Sequence, residues 1–398
     1  MKIVIDKNIP YIQNIFEECA EVNYLPSQEI DNEAVKDADA LIIRTRTICN
    51  ETLLHGAKVS FIATATAGTD HIDFDYCKKN NIKVFSAAGC NASSVAQYVG
   101  SAMAVYFLPP PPSKIEGESG ASQIYTNFEI PHTPPPVKEG VGERTIGIVG
   151  WGHVGKEVEK LCNALGFKVL RNDPPLATQT QPSLLKMEKD KFQICTNCEI
   201  PHTPPPLLEG VGGRFVSLDE ICENADIITF HTPLTFSGEF ATKNLADEAF
   251  FQKLKRKPLI INAARGGIVN EKALLNSFYD KKISDFVLDC WENEPNVSPE
   301  IAAKSLIATP HIAGYSADGK ANATRMCIEA VSDFFKLNLN FSKVLNVEKV
   351  CVDYKGEKLL KYLLQNYNIM QDSANFKGNI NNFEFFRNNY WERREISF

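Results

Sequence analysis

Three things are missing from this chain, and each absence removes a class of protein. No apolar run approaches the roughly 18 residues that span a bilayer, so a helical membrane protein is excluded. No charged-then-apolar leader opens the chain: Met1-Lys2-Ile3-Val4-Ile5-Asp6 reads as a strand that begins at once, which predicts a protein without a secretory signal. The 11 cysteines follow no regular spacing and their number is odd, which argues against a disulfide scaffold and for a reducing cytoplasm. Positive charge is also in short supply. The 42 Lys and Arg against 49 Asp and Glu leave a net charge of -7, whereas a general nucleic-acid surface needs a cationic excess to neutralise phosphates. A small anionic ligand stays open, because a few local arginines suffice for it.

With 398 residues, 44% of them hydrophobic, the chain can bury the cores of two or three domains. Short apolar runs alternate with stretches of helical spacing. The first series is Ile3-Val4-Ile5, Ala40-Leu41-Ile42-Ile43, Phe61-Ile62-Ala63 and Ile82-Lys83-Val84-Phe85. The second is Thr145-Ile146-Gly147-Ile148-Val149, Lys168-Val169-Leu170, Ile227-Ile228-Thr229-Phe230, Leu259-Ile260-Ile261-Asn262 and Phe286-Val287-Leu288-Asp289. Fully apolar strands joined through helices predict parallel sheets covered on both faces. The expected fold is α/β: two Rossmann-like doubly wound domains around a cleft, plus a small C-terminal α+β subdomain rich in aromatic residues such as Phe376, Phe383, Tyr390 and Trp391. The expected boundaries are 1–106 with 292–336 for the substrate domain, 107–291 for the nucleotide domain and 337–398 for the C-terminal part.

Two segments are foreign to this pattern. Residues 123–144 (QIYTNFEIPHTPPPVKEGVGER) and 193–214 (QICTNCEIPHTPPPLLEGVGGR) are identical at 17 of 22 positions. Their Pro-Pro-Pro runs rule out a regular helix or central strand, so Pro-rich inserts near 109–143 and 177–214 are expected as exposed excursions. Cys195 and Cys198 with His202 have the makings of a metal clip, but the other copy carries Tyr125 and Phe128 at the cysteine positions. No metal centre is therefore expected, and the inserts are read as inert.

Gly150-Trp151-Gly152-His153-Val154-Gly155 follows the strand ending at Val149 and opens an amphipathic segment, Lys156 to Leu165. A lone GxGxxG is a weak signal, but this one stands in the strand-turn-helix setting that a dinucleotide needs. The first glycine permits the turn, the second admits the pyrophosphate, the third lets helix and strand approach, and the helix N-terminus favours the anion. Asp173 ends the next strand, 18 residues after Gly155. Its carboxylate suits ribose hydroxyls and repels a 2'-phosphate, so the expected cofactor is NAD rather than NADP. Thr232, at the end of a further strand, joins this set, and Ala263, Ala264, Arg265, Asp289 and Gly314 complete the expected nucleotide contacts.

Three polar residues then appear, each just past a predicted strand: Arg265 in Asn262-Ala263-Ala264-Arg265-Gly266-Gly267, Glu294 in Asp289-Cys290-Trp291-Glu292-Asn293-Glu294-Pro295, and His311 in Thr309-Pro310-His311-Ile312-Ala313-Gly314. Taken singly they read as a surface ion pair, a solvated turn and a loop cap. Together, in this order after the glycine turn, they resemble the D-2-hydroxyacid dehydrogenase family. That resemblance implies Arg265 as the clamp on the substrate carboxylate and carbonyl, His311 as the proton carrier and Glu294 as its partner. The chemistry is consistent with those roles. An imidazole can take the hydroxyl proton as hydride leaves, an acid on its second nitrogen fixes the tautomer, and a guanidinium fork matches a carboxylate.

The similarity narrows to a branch of the family acting on 4-phospho-D-erythronate. Its marks are Phe61-Ile62-Ala63-Thr64-Ala65-Thr66-Ala67-Gly68-Thr69-Asp70-His71, Gly89-Cys90-Asn91-Ala92, Asn172-Asp173-Pro174-Pro175, His311-Ile312-Ala313-Gly314-Tyr315-Ser316 and the late run Asn388-Asn389-Tyr390-Trp391-Glu392-Arg393-Arg394-Glu395. It implies Thr45, Thr66 and Tyr315 as substrate contacts, and a C-terminal region that makes a homodimer. Arg44 is favoured over Arg46 for the phosphate, although in a regular strand both point away from Thr45. The competing readings are another D-2-hydroxyacid dehydrogenase, acting on 3-phosphoglycerate, glyoxylate or hydroxypyruvate, and a non-catalytic NAD-sensing scaffold that docks partners on the Pro-rich repeats. A partner that is nucleic acid or membrane is not expected.

Overall fold

The computed structural model describes residues 1–108, 144–180, 213–339, 350–390 and 393–397. The proline-rich segments, expected as exposed excursions, lie almost wholly outside the described residues. The chain divides into two compact units. One comprises residues 1–95, 314–352 and 390–397, the other residues 96–313, 353–389 and 398.

The first unit holds a five-stranded parallel sheet made of β1 (Lys2–Asp6), β2 (Glu21–Leu25), β3 (Ala40–Ile43), β4 (Phe61–Thr64) and β5 (Lys83–Ser86), in the order β2-β1-β3-β4-β5. Every residue of β3 and β4 is buried. That is why these strands read as unbroken apolar runs, each face carrying its own core. The helix Ala317–Phe335 belongs to this unit and stacks Phe334 on Phe61, with ring centroids 4.6 Å apart.

The second unit carries seven parallel strands: β6 (Thr145–Val149), β7 (Lys168–Asn172), β8 (Arg214–Phe215), β9 (Ile227–Phe230), β10 (Leu259–Asn262), β11 (Asp285–Leu288) and β12 (Ile307–Ala308). Their order, β12-β11-β10-β9-β6-β7-β8, is the doubly wound arrangement, and it reverses direction between β6 and β9. Register fixes where the site falls. Asn172, Val149, Phe230, Asn262, Leu288 and Ala308 form one row across the sheet. The residue after each therefore leaves from the same carboxyl edge, which collects Gly150, His231, Ala263, Asp289 and Thr309 in one place.

The segment 337–398, expected as a subdomain of its own, is shared between the units. β13 (Val350–Cys351) and β14 (Ile396–Ser397) pair in parallel within the first. The helices Gly356–Asn366, Ile369–Gly378 and Phe383–Asn388 belong to the second. The reason is where their apolar residues are spent. Phe376 lies 6.0 Å from the Trp291 ring, Ser373 Oγ accepts the Ala308 N–H at 3.0 Å, and Leu363 packs toward Gly100. Phe376 and Phe383 are thereby part of the nucleotide unit's own core. Among the described residues no helix is long and apolar enough to cross a membrane.

Candidate active site

The glycine turn has the geometry its spacing predicts. Gly150 has φ +92°, and a Cβ there would meet the His231 carbonyl carbon at 2.7 Å. A Cβ on Gly155 would fall 2.3 Å from the Gly150 oxygen, so the third glycine is what lets the helix His153–Leu165 sit on the turn. The Cβ direction of Gly152 meets nothing within 4 Å, and as the N-cap residue of that helix it makes no side-chain cap bond of its own. Open space at a helix N-terminus is what a pyrophosphate requires. Asp173 closes the turn from the next strand. Its Oδ2 accepts the Trp151 N–H at 2.8 Å, and its Oδ1 accepts the Leu176 N–H at 3.2 Å.

A cluster behind the turn was not foreseen. Trp151 Nε1 donates to Glu159, Arg171 forms an ion pair with the same carboxylate, and the Arg171 guanidinium lies 4.2 Å from the Trp151 ring centre. Thr232 Oγ1 is buried without a hydrogen-bond partner among the described residues, and so is His231 Nδ1. Burial pushes the His231 imidazole down to about 3, so it stays neutral at any physiological pH. Two orphaned polar atoms beside an open glycine turn fit a bound dinucleotide that supplies the missing partners. Thr232 was legible as a strand-end residue. His231 was passed over because a histidine before Thr-Pro carries no signal of its own.

The expected catalytic trio sits on the loops that leave the same edge. His311 Nδ1 lies 2.8 Å from Glu294 Oε2 and 3.0 Å from Oε1, and both side chains are about three-quarters buried. Burial would push the Glu294 carboxyl up. The hydrogen bond and charge of His311, the Trp291 N–H and the Arg387 charge outweigh it and hold the group below its ordinary value. A carboxylate accepting the Nδ1 proton leaves Nε2 with the free lone pair.

His311 has φ +58°, a left-handed backbone that a non-glycine residue keeps only when its surroundings enforce it. Asp289 does the enforcing. Its Oδ1 accepts the Thr309 hydroxyl at 2.7 Å and the Ile312 N–H at 2.8 Å, and its Oδ2 accepts the Ala313 N–H at 2.9 Å. Trp291 adds Nε1–H to the Thr309 carbonyl at 2.9 Å. Asp289, expected as a nucleotide contact, is thus first of all the brace of the histidine loop.

Arg265 leaves β10 on a loop shaped by Asn262, which accepts the Ala264 N–H and donates to the Arg265 carbonyl. The Arg265 guanidinium donates to the Ala264 carbonyl at 2.8 Å. Gly266 is obligatory here, since its Cβ would lie 1.7 Å from the Trp291 oxygen. Glu271 and Glu292 then exchange bonds: each carboxylate accepts the other residue's N–H, at 2.7 and 2.9 Å. The loops of Arg265 and Glu294 are locked together by contacts that sequence reading did not find.

In the first unit, Thr66 Oγ1 bonds Thr64 at 2.8 Å and the Gly68 carbonyl at 3.0 Å, Thr45 is exposed, and Tyr315 packs its ring against Tyr390. Gly314 accepts Asn91 Nδ2 at 3.0 Å, and a Cβ there would collide with Asn91. Arg44, expected at the substrate phosphate, is half-buried. Its Nε and Nη2 are engaged by the buried Asp6 carboxylate at 2.9 and 3.4 Å, so a substrate phosphate would have to compete with a buried ion pair.

A parallel nucleotide-binding sheet with an arginine loop and an acid-histidine pair on its carboxyl edge defines the class of nicotinamide-dependent dehydrogenases. The chain is similar to the family model described as "D-isomer specific 2-hydroxyacid dehydrogenase, NAD binding domain" over residues 131–200 and 200–313. It is 40% identical to erythronate-4-phosphate dehydrogenase of Bacteroides thetaiotaomicron over 99% of this chain and 97% of the relative. It is 35% identical to the Shigella dysenteriae protein of the same name over 100% and 93%. Among solved structures, D-lactate dehydrogenase from Aquifex aeolicus, complexed with NAD and lactic acid, shares the fold at a TM-score of 0.61 and 22% identity, covering 84% of this chain and 96% of that one. The chain belongs to the erythronate-4-phosphate dehydrogenase family, within the D-isomer specific 2-hydroxyacid dehydrogenases. It is an NAD-dependent enzyme of that class.

Proposed function

We propose that this chain oxidises 4-phospho-D-erythronate with NAD to 2-oxo-3-hydroxy-4-phosphobutanoate, a step of vitamin B6 biosynthesis. The observation that carries this reading is the hydrogen-bonded Glu294–His311 pair on the cofactor edge of a chain related over nearly its full length to erythronate-4-phosphate dehydrogenases. NAD, when bound, accepts the hydride from the carbon bearing the 2-hydroxyl. His311 Nε2 takes the hydroxyl proton. Glu294 holds Nδ1–H and stabilises the imidazolium that forms. Arg265 presents its fork to the carboxylate and the developing carbonyl. Gly150, Gly152, His153, Val154, Gly155, Asp173, Thr232, Ala263, Ala264 and Asp289 would hold NAD, with Asp173 selecting against a 2'-phosphate.

Thr45, Thr66 and Tyr315 are the proposed substrate contacts, and Gly314 a further cofactor contact. A homodimer in the cytoplasm completes the reading, supported by the resemblance of the C-terminal run and by the absence of disulfides among the described cysteines. The test is NADH absorbance on mixing purified enzyme and NAD with 4-phosphoerythronate, set against 3-phosphoglycerate. A clear preference for 3-phosphoglycerate would end the substrate assignment.

A further inference from the structure

Cys290 has no part in the reaction above, yet its thiol stands at the centre of the machinery. It directly follows Asp289, is 1% exposed, and its sulfur lies within 4.8 Å of ligand atoms of both Glu294 and His311. Among the described residues these three form a group of mixed sulfur, nitrogen and oxygen donors close enough to share one ion. We propose that Cys290 Sγ, Glu294 and His311 Nδ1 form an inhibitory site for Zn²⁺ or a similar borderline transition-metal ion.

The donor set argues for that class of ion. One thiolate, one imidazole and one carboxylate suit zinc, whereas magnesium and calcium prefer oxygen alone. Zinc takes sulfur at about 2.3 Å and nitrogen or oxygen at about 2.0–2.2 Å, which sets tetrahedral ligands roughly 3.3–3.7 Å apart. His311 Nδ1 and Glu294 Oε2, now 2.8 Å apart, need only spread, while the thiol closes in from no more than 4.8 Å. Three protein ligands leave a fourth position for water. The exposed quarter of the His311 and Glu294 side chains gives an entry route. Burial first, then the Asp289 and Glu294 charges, hold the Cys290 thiol well above its ordinary value against Arg265 and Arg387, so the sulfur gives up its proton only in exchange for the ion.

The chemical consequence follows from the tautomer. The ion takes the sulfur electron pair as the thiol proton leaves to solvent. It takes the Nδ1 lone pair once the proton of that nitrogen has been relocated to Nε2, and no electron is transferred. A neutral imidazole bound through Nδ1 carries its hydrogen on Nε2 and has no lone pair there, so it cannot accept the substrate's hydroxyl proton. Turnover stops while the glycine turn and Asp173 are untouched. This consequence rests on His311 being the proton carrier; the metal site itself does not.

The test uses the untagged full-length chain with Cys195 and Cys198 replaced by Ser, so that their thiols cannot contribute, in the presence of NAD. Cobalt(II) serves as the spectroscopic probe and zinc as the inhibitor. Thiolate-to-cobalt charge-transfer absorption is expected to saturate at one equivalent and to vanish in both Cys290→Ala and the near-isosteric Cys290→Ser. The zinc concentration for half-inhibition should rise at least about tenfold in both, since even outer-shell losses cost about 10–100-fold in metal affinity. No such absorption, or the same absorption in both variants, overturns the site. Absorption that depends on Cys290 without loss of turnover overturns the inhibition and counts against His311 as proton carrier. A metal-free enzyme inactive on 4-phosphoerythronate defeats the function proposed above, and the cobalt spectrum still decides the site.

Discussion

In the proposed mechanism two groups decide the chemistry at the residue scale: His311 Nε2, which must carry a lone pair, and the Glu294 carboxylate that holds the other ring nitrogen. Replacing His311 with Ala removes the base, so turnover should fall by about 10²–10⁴-fold. NAD binding, followed by fluorescence or calorimetry, should persist, because no nucleotide contact is lost; equal turnover in the variant contradicts the role. Glu294→Gln keeps the shape and removes the charge, so kcat should fall more than KM rises.

Glu271 offers a separate test in pH. Burial, with Glu292 and Glu294 adding to it, pushes its carboxyl from 4.5 to about 7. Between those two values the folded chain holds a proton that the unfolded chain has lost, so stability falls as pH rises through that window. Glu271→Gln still accepts the Glu292 N–H but cannot ionise. Its unfolding free energy, from chemical denaturation, should match the parent's near pH 4.5 and exceed it at pH 8 by on the order of 3 kcal/mol. A parent-to-variant difference that does not change with pH would refute this account.

Among the elements, the glycine turn and the C-terminal strap are the parts whose geometry leaves least room. Gly155→Ala places a Cβ 2.3 Å from the Gly150 oxygen, and the backbone cannot yield cheaply. The variant should lose about 1–3 kcal/mol of stability and bind NAD more weakly, both readable from melting curves with and without NAD.

The strap runs through Arg393, Arg394 and Glu395. Arg393 is 1% exposed and donates to the Ser94 hydroxyl and the Tyr390 hydroxyl, both at 2.9 Å. Arg394 pairs with Asp318, and Glu395 accepts the Ser316 hydroxyl at 2.6 Å. These bonds fasten the chain end to the start of the helix Ala317–Phe335, directly after Tyr315. Asp318→Ala strips Arg394 of its carboxylate and the Glu395 N–H of its acceptor. It should cost about 1–3 kcal/mol in a chemical-denaturation measurement, because the Glu395 N–H loses its buried acceptor while the half-exposed Arg394 returns to solvent.

For the whole molecule, the sheet with its reversal between β6 and β9 places the site, and the expectation that the proline-rich repeats are inert is open to a direct test. A chain lacking residues 123–143 and 193–212 should keep its turnover with 4-phosphoerythronate and its NAD affinity. Lost activity in a folded, deleted chain would show that the repeats have a function after all.

Much of this was written in the sequence. Nine of the twelve strands in the two large sheets announce themselves as apolar runs, most of them because burial on both faces demands it, and β5 by its apolar residues although it is only partly buried. The strands that did not are β2, whose residues are only partly buried, and β8 and β12, which are two residues long and carry no periodicity. The glycine turn, Asp173 and the Arg265, Glu294, His311 series were legible because backbone approach and proton chemistry each restrict a position to very few residue types.

What sequence could not supply is every contact between distant segments. The Glu271–Glu292 exchange, the Asp289 brace, the capture of Arg44 by Asp6 and the arrival of Cys290 beside the catalytic pair all join residues through strand register and loop closure. Local residue preference determines what each segment can form. Only the folded arrangement decides which side chains meet, because that choice is made by packing over the whole sheet and not by neighbours along the chain.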